Sequence, residues 1–164
     1  TDTGFFRFLN DNASPYIEAA ARLVKYGANP RETYKLINSG KPFSTRKLLG
    51  ILLSRTELYL DGKLALTYET MSDTKQYGQE GRDTDALYSQ LLACKGVEAV
   101  AFLRQDTLTT CTGGLRSQDK IDVSIVAQKF GGGGHKRAAG FFLGKDIEKE
   151  IEKVIGMVEE QLTK

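Results

Sequence analysis

Gly131-Gly132-Gly133-Gly134-His135-Lys136-Arg137-Ala138-Ala139-Gly140 is the stretch on which the reading of this chain turns. A glycine fixed inside regular structure costs about 0.5–1 kcal/mol relative to alanine, so a run of them needs a reason. A flexible linker is one reason. This run, however, is short, carries no serine, and joins an apolar-periodic helix at 121–130 to an apolar strand at 138–143. Close approach of backbone N–H groups to an anion accounts for it better, because only glycine lets successive amides converge on one ligand. His135, Lys136 and Arg137 follow at once, offering hydrogen bonds and positive charge. Gly132, Gly133, Gly134, His135 and Arg137 are therefore candidate ligand-binding residues. Ala138-Ala139-Gly140 keeps the next strand small beside them, although ordinary strand packing explains those three equally well.

Working outward, the preceding strand at 108–115 runs into Gly113-Gly114-Leu115-Arg116-Ser117. Arg116 presents a planar fork suited to bidentate contact with phosphate or carboxylate, and the Ser117 hydroxyl can donate beside it. Strand ends are where a rigid scaffold collects ligand contacts. A surface salt bridge would explain Arg116 as well. If the short helix at 121–130 returns the chain, both segments lie on one edge and form a composite anion site from Arg116, Ser117 and the glycine loop.

The remaining pattern is helices first, then strands mixed with helices. Ser14-Pro15 and Asn29-Pro30 are helix starts, with Gly27 and Gly40 as stops. Ser44 is read as the cap of a third helix, with Leu48, Leu49, Leu52 and Leu53 on one stripe. Residues 58–60 and 64–68, joined at Asp61-Gly62, form a predicted hairpin. Residues 71–82 are polar and read as loop or short helix. Asp83 caps a helix carrying Leu87, Leu91 and Leu92, a strand follows at 97–104, and Asp146 caps a last amphipathic helix. The expected fold is α/β: a helical linker followed by a small mixed β-sheet packed with helices, divided as 1–56 and 57–164.

Composition narrows the functions. Lys plus Arg is 23 and Asp plus Glu is 21, a net charge of +2, so any anion site is local rather than a duplex-coating surface. A single histidine excludes histidine-rich metal clusters. Cys94 and Cys111 lie far apart and outside any Cys-x-x-Cys pair, so both are expected to be free thiols. No apolar run approaches the ~20 residues of a membrane helix and no signal-peptide pattern is present, which points to a cytoplasmic protein without a membrane partner. The opening Thr1-Asp2-Thr3-Gly4-Phe5 has no element ahead of it and reads as a chain entered in the middle.

These segments together resemble the DHH phosphoesterase family. Thr1-Asp2-Thr3-Gly4-Phe5 is similar to the last of its four metal-site motifs. Gly114 to Ser117, Ile121-Asp122-Val123 and Phe130 to Gly140 resemble its C-terminal DHH-associated domain. Leu91 to Arg104, with Gly96-Val97-Glu98, fits the nano-RNase type, which degrades oligoribonucleotides and dephosphorylates phosphoadenosine phosphate. The resemblance implies a two-domain enzyme that binds two manganese ions through Asp and His in one domain and substrate in the other. It assigns Arg116, Ser117, the glycine loop and His135 to the phosphates or terminal nucleotide; Arg137 stands where relatives often carry an uncharged residue. Of the metal ligands only Asp2 has a counterpart, and no Asp-His-His motif is present, so this chain alone is expected to be inactive. Short RNA, single-stranded nucleic acid or a small nucleotide is the implied partner, and a homodimer is compatible. The alternatives are a stand-alone nucleotide- or nucleic-acid-binding module, or a relative acting on cyclic dinucleotides, single-stranded DNA or polyphosphate.

Overall fold

The computed structural model describes Phe6, Leu9 and residues 12–118 and 120–162. The chain divides into two compact units, Thr1–Lys41 and Pro42–Lys164. In the first, α1 (Ser14–Lys25) and α2 (Pro30–Asn38) follow the expected punctuation. The Asn29 side chain accepts from the N–H groups of Arg31 and Glu32, as an N-cap does. Ser14 lies one residue inside its helix and donates to Glu18 rather than capping. Ile17, Leu23 and Val24 of α1 and Leu36 and Ile37 of α2 stand exposed.

The second unit begins at Pro42, fifteen residues before the division at 57 expected from sequence. The reason is α3 (Phe43–Ser54), whose Leu48, Leu49 and Leu52 are buried in the same cluster as sheet residues Ala65, Val100 and Phe102. Ser44 does not cap α3; it lies within the first turn and its hydroxyl reaches Glu80 at 2.5 Å. The remaining elements are β1 (Glu57–Tyr59), β2 (Leu64–Glu69), α4 (Met71–Tyr77), α5 (Thr84–Leu92), β3 (Ala99–Gln105), β4 (Cys111–Ser117), α6 (Val123–Lys129), β5 (Gly133–His135), β6 (Ala138–Leu143) and α7 (Ile147–Leu162). The expected α/β class is found. The strands form one mixed sheet in the order β1-β2-β3-β4-β6-β5, parallel only between β2 and β3.

Alternation along the strands sends successive side chains to opposite faces. One face carries Leu64, Leu66, Ala99, Ala101, Leu103, Leu115, Phe141 and Leu143, sealed by Val123 and Val126 of α6 and Val154 and Val158 of α7. The other face is covered only in part. Over β2 and β3, α3 and α5 bury Ala65, Val100 and Phe102 with Leu87, Tyr88 and Leu91. Over β4, β6 and β5 the same face presents Arg116, Gly114, Ala138, Gly140, Gly133 and His135.

The segment 71–82 is tied to the covered half by buried ions. The Glu69 carboxylate is fully buried and accepts from Arg82 Nε at 2.7 Å and Nη2 at 2.6 Å. Arg55 grips Asp73 through Nη1 at 2.6 Å and also donates to the Tyr68 carbonyl at 2.7 Å. That guanidinium, more than burial, which acts the other way, draws the Asp73 carboxyl down to about 2. Asp73 at the same time closes a capping box with Thr70 at the start of α4.

Candidate functional site

The two segments singled out by sequence meet on the uncovered half of the sheet. Val100, Arg116, Ala138 and His135 form one cross-strand row, and Phe102, Gly114, Gly140 and Gly133 form the next. The join is a face rather than an edge. β4 runs through Ser117, two residues beyond the expected strand end, so Arg116 projects from inside a strand. Gly133-Gly134-His135 is itself a short edge strand, returned to β6 by a turn at Lys136-Arg137. Thr84, Tyr88, Gly114, Arg116, Gly133, Ala138, Ala139 and Gly140 line an open groove of about 390 Å³.

The glycines have unequal reasons for being there. Gly131 has φ of +72° and turns the chain out of α6, a position that favours glycine. A Cβ on Gly132 would lie 2.2 Å from the Gly140 carbonyl oxygen, and one on Gly134, where φ is +149°, would lie 2.4 Å from that of Ala138. Both therefore serve packing of β5 against β6. A Cβ on Gly133 would meet nothing within 4 Å, because that side is the groove. The N–H groups of Gly131 and Gly132 are bonded to the carbonyls of Gln128 and Ala127, at the end of α6. The expected convergence of amides from Gly132 to Gly134 on one anion is thus corrected at Gly132: its donor is already committed to the helix end.

Ser117 is likewise corrected as a ligand donor. It is buried, and its hydroxyl donates to the Ile121 carbonyl at 2.7 Å, with the Lys136 carbonyl at 3.3 Å. Its own N–H bonds the Arg137 carbonyl at 3.2 Å. Ser117 therefore pins the end of β4 to the Lys136-Arg137 turn, which sets the height of His135 and Ala138 beside Arg116. His135 and Arg137 are exposed at this end of the groove.

Arg116 is half-buried and held from two sides. Its Nη1 donates to the Leu115 carbonyl at 3.1 Å. The guanidinium carbon lies 4.7 Å from the ring centroid of Tyr88, a cation–π contact. Tyr88, on the α5 turn that also brings Thr84 to the groove, escaped the sequence reading. The signal was present in the i, i+4 spacing of Thr84 and Tyr88 behind the Asp83 cap, but a tyrosine next to Leu87 reads as core. Burial, against the opposing pull of the Arg116 charge, pushes its phenol up to about 12.

Asp2 lies outside the described residues. Among the described residues no cluster of three or more His, Cys, Asp or Glu could hold a metal ion. Nor is any of their helices long and apolar enough to cross a membrane.

Comparison with known proteins identifies the domain. The DHHA1 domain model matches residues 63–164. The chain is 32% identical to the bifunctional oligoribonuclease and PAP phosphatase NrnA of Thermus thermophilus, covering all of this chain and 48% of that protein. It is 28% identical to an uncharacterized Mycoplasma pneumoniae protein, again over its whole length and 48% of the relative. It thus spans about half the length of these relatives. Among solved structures, an exopolyphosphatase-related protein from Bacteroides fragilis superposes with a TM-score of 0.87 at 25% identity, over 99% of this chain and 47% of that one. The pGpG-specific phosphodiesterase PggH of Vibrio cholerae shares the fold over 73% of this chain and 41% of its own, with a TM-score of 0.53 and 14% identity. A mixed sheet with a glycine-floored, arginine-walled groove, a domain model over most of the chain and similarity across this whole chain to about half of an oligoribonuclease have one common account: the chain belongs to the DHH phosphoesterase family and carries its DHHA1 domain.

Proposed function

We propose that this chain is the substrate-gripping part of a manganese-dependent phosphoesterase that hydrolyses short oligoribonucleotides or small nucleotides such as phosphoadenosine phosphate. The observation that carries the reading is the groove itself. Arg116 stands in register with His135 across β6, over a small floor of Gly114, Ala138, Gly140 and Gly133 that lines an open groove. A guanidinium fork beside open backbone suits a phosphate, and the small floor admits the flat sugar or base attached to it. The Thermus relative's oligoribonuclease and phosphatase activities favour RNA ends over cyclic dinucleotides, single-stranded DNA or polyphosphate.

Arg116, Gly133 and His135 would make the ligand contacts, Arg137 would add charge from the turn, and Gly132, Gly134 and Ser117 would hold the frame. Hydrolysis belongs to a catalytic half beyond the described residues. Manganese would be held there, with Asp2 as the contribution of this chain, and we derive no step through it. The exposed apolar residues of α1 and α2 support assigning them to the tail of that catalytic domain. The absence of a long apolar helix among the described residues is compatible with a cytoplasmic enzyme.

The test is calorimetric titration of the 164-residue chain with phosphoadenosine phosphate, a 5′-phosphorylated diribonucleotide and a cyclic dinucleotide. Binding of the first two, weakened about ten- to a hundredfold in Arg116→Ala, is expected, since a charge-assisted hydrogen bond contributes about 1.5–3 kcal/mol. Unchanged affinity in Arg116→Ala would sink the reading. Chelator-sensitive turnover of the diribonucleotide by this chain alone would overturn the assignment of catalysis elsewhere.

A further inference from the structure

We infer that Tyr88 is a ligand-contacting residue of this groove, donating its hydroxyl to the same phosphate that Arg116 grips while its ring face holds that guanidinium in place. The inference rests on the phosphate reading of the groove and adds a residue to it. Tyr88 is 7% exposed, and that remainder faces the groove it lines. Its ring is fixed by packing in the cluster of Leu87, Leu91 and Val100 and by an edge contact with Phe102 at 6.5 Å and 76°.

The hydroxyl does not share that apolar setting. Oη hangs above Gly114, so close that a Cβ there would lie 2.3 Å from it, and the missing side chain is what admits it. Among the described residues no hydrogen bond to this hydroxyl is found. Tyrosine hydroxyls in apolar surroundings usually find a partner, and this one opens on the groove beside the Arg116 guanidinium, where it can donate to an anion that fills it. Its phenol, pushed up to about 12, keeps its proton at any pH at which the protein works, so it can donate to an anion.

The spacing fits one phosphate. Arg116 and Gly114 are alternate residues of β4 on one face, about 6.5 Å apart along the strand. The guanidinium lies against the ring and the hydroxyl reaches forward over Gly114, so the two donor sets flank a single oxyanion rather than two. A charge-assisted contact from each side then fixes the phosphate over the floor. The cation–π contact contributes separately, by holding Arg116 away from solvent conformations that would miss the ligand.

The experiment compares Tyr88→Phe and Tyr88→Leu with Arg116→Ala, titrating each with phosphoadenosine phosphate and with adenosine. Tyr88→Phe keeps the ring and the Arg116 contact, so its melting temperature should match the parent. Its affinity for phosphoadenosine phosphate should fall roughly tenfold, the worth of one hydrogen bond to a charged group, with adenosine unaffected. Tyr88→Leu should fall further, to the level of Arg116→Ala. Parent-like affinity in Tyr88→Phe beside a weakened Arg116→Ala overturns the role of Tyr88 alone. Parent-like affinity in both overturns the groove reading with it.

Discussion

One face of the sheet is treated in two ways by the same chain. Over β2 and β3, α3 and α5 bury Ala65, Val100 and Phe102, and the adjoining segment is locked by the Arg82–Glu69 and Arg55–Asp73 pairs. Over β4, β6 and β5, the rows continue as Arg116, Ala138 and His135 and as Gly114, Gly140 and Gly133, and among the described residues of this unit no helix seals them. The difference shows how a fold reserves a site. Large β-branched and aromatic residues recruit a cover, whereas a glycine floor offers too little apolar area to bury against one. The stability of the covered half positions the bare half, with Tyr88 as the residue that belongs to both.

The sharpest way to break this contrast is inside the covered half. Arg82→Leu strands the fully buried Glu69 carboxylate and should cost about 3–5 kcal/mol. Urea unfolding measures it, and a loss under 1 kcal/mol would show that the pair is not structural. The next largest effect lies within the glycine run. Gly132→Ala places a methyl 2.2 Å from the Gly140 carbonyl oxygen and should destabilise by about 1–3 kcal/mol. Gly133→Val, one residue on, adds its side chain to open groove. It should leave the melting temperature nearly unchanged while weakening phosphoadenosine phosphate binding by tenfold or more (on the order of one lost charge-assisted contact). Equal melting temperatures for the two variants would erase the distinction between frame and floor.

A smaller effect is pH-dependent. Arg55 lowers the folded-state Asp73 carboxyl from 3.8 to about 2, so its stabilising contribution is complete above pH 4 and is lost as pH falls toward 2. Asp73→Asn should be less stable at neutral pH and show a flatter acid limb between pH 4 and 2; parallel acid limbs would contradict the pairing. The smallest effect is kinetic. Cys94 is exposed and Cys111 buried in the sealed face, with burial raising its thiol above the usual value. A thiol reagent should label one cysteine promptly in the native chain and both after denaturation.

Much of the fold was legible because short-range chemistry decides it. Asn29-Pro30 and Asp83 start helices where a capping side chain meets orphan N–H groups, and the apolar period of 147–162 is sufficient for α7. The glycine–histidine segment and Arg116 were legible as candidates for one groove, which the register of β4, β6 and β5 brings together. Less legible were features set across the sheet. Ser44 reads as a helix cap and Ser117 as a ligand donor, yet one hydroxyl meets Glu80 and the other the Ile121 carbonyl, partners that local spacing does not announce. The short strand β5 was hidden because glycine carries no strand propensity; its pairing with β6 comes from backbone alone.

By itself, then, the sequence determined the helix starts at Asn29 and Asp83, the α/β order, the single histidine, and which residues are candidates for phosphate contact. Tertiary structure alone decided that β4 carries Arg116 inside the sheet, that Gly132 and Gly134 are frame while Gly133 is floor, and that Tyr88 stands under the guanidinium. The physical reason is range. Capping, turn geometry and periodicity act over a few residues and are written in neighbouring letters. Register and close backbone approach depend on which strands lie side by side, and β4 is joined to β5 and β6 across the intervening α6.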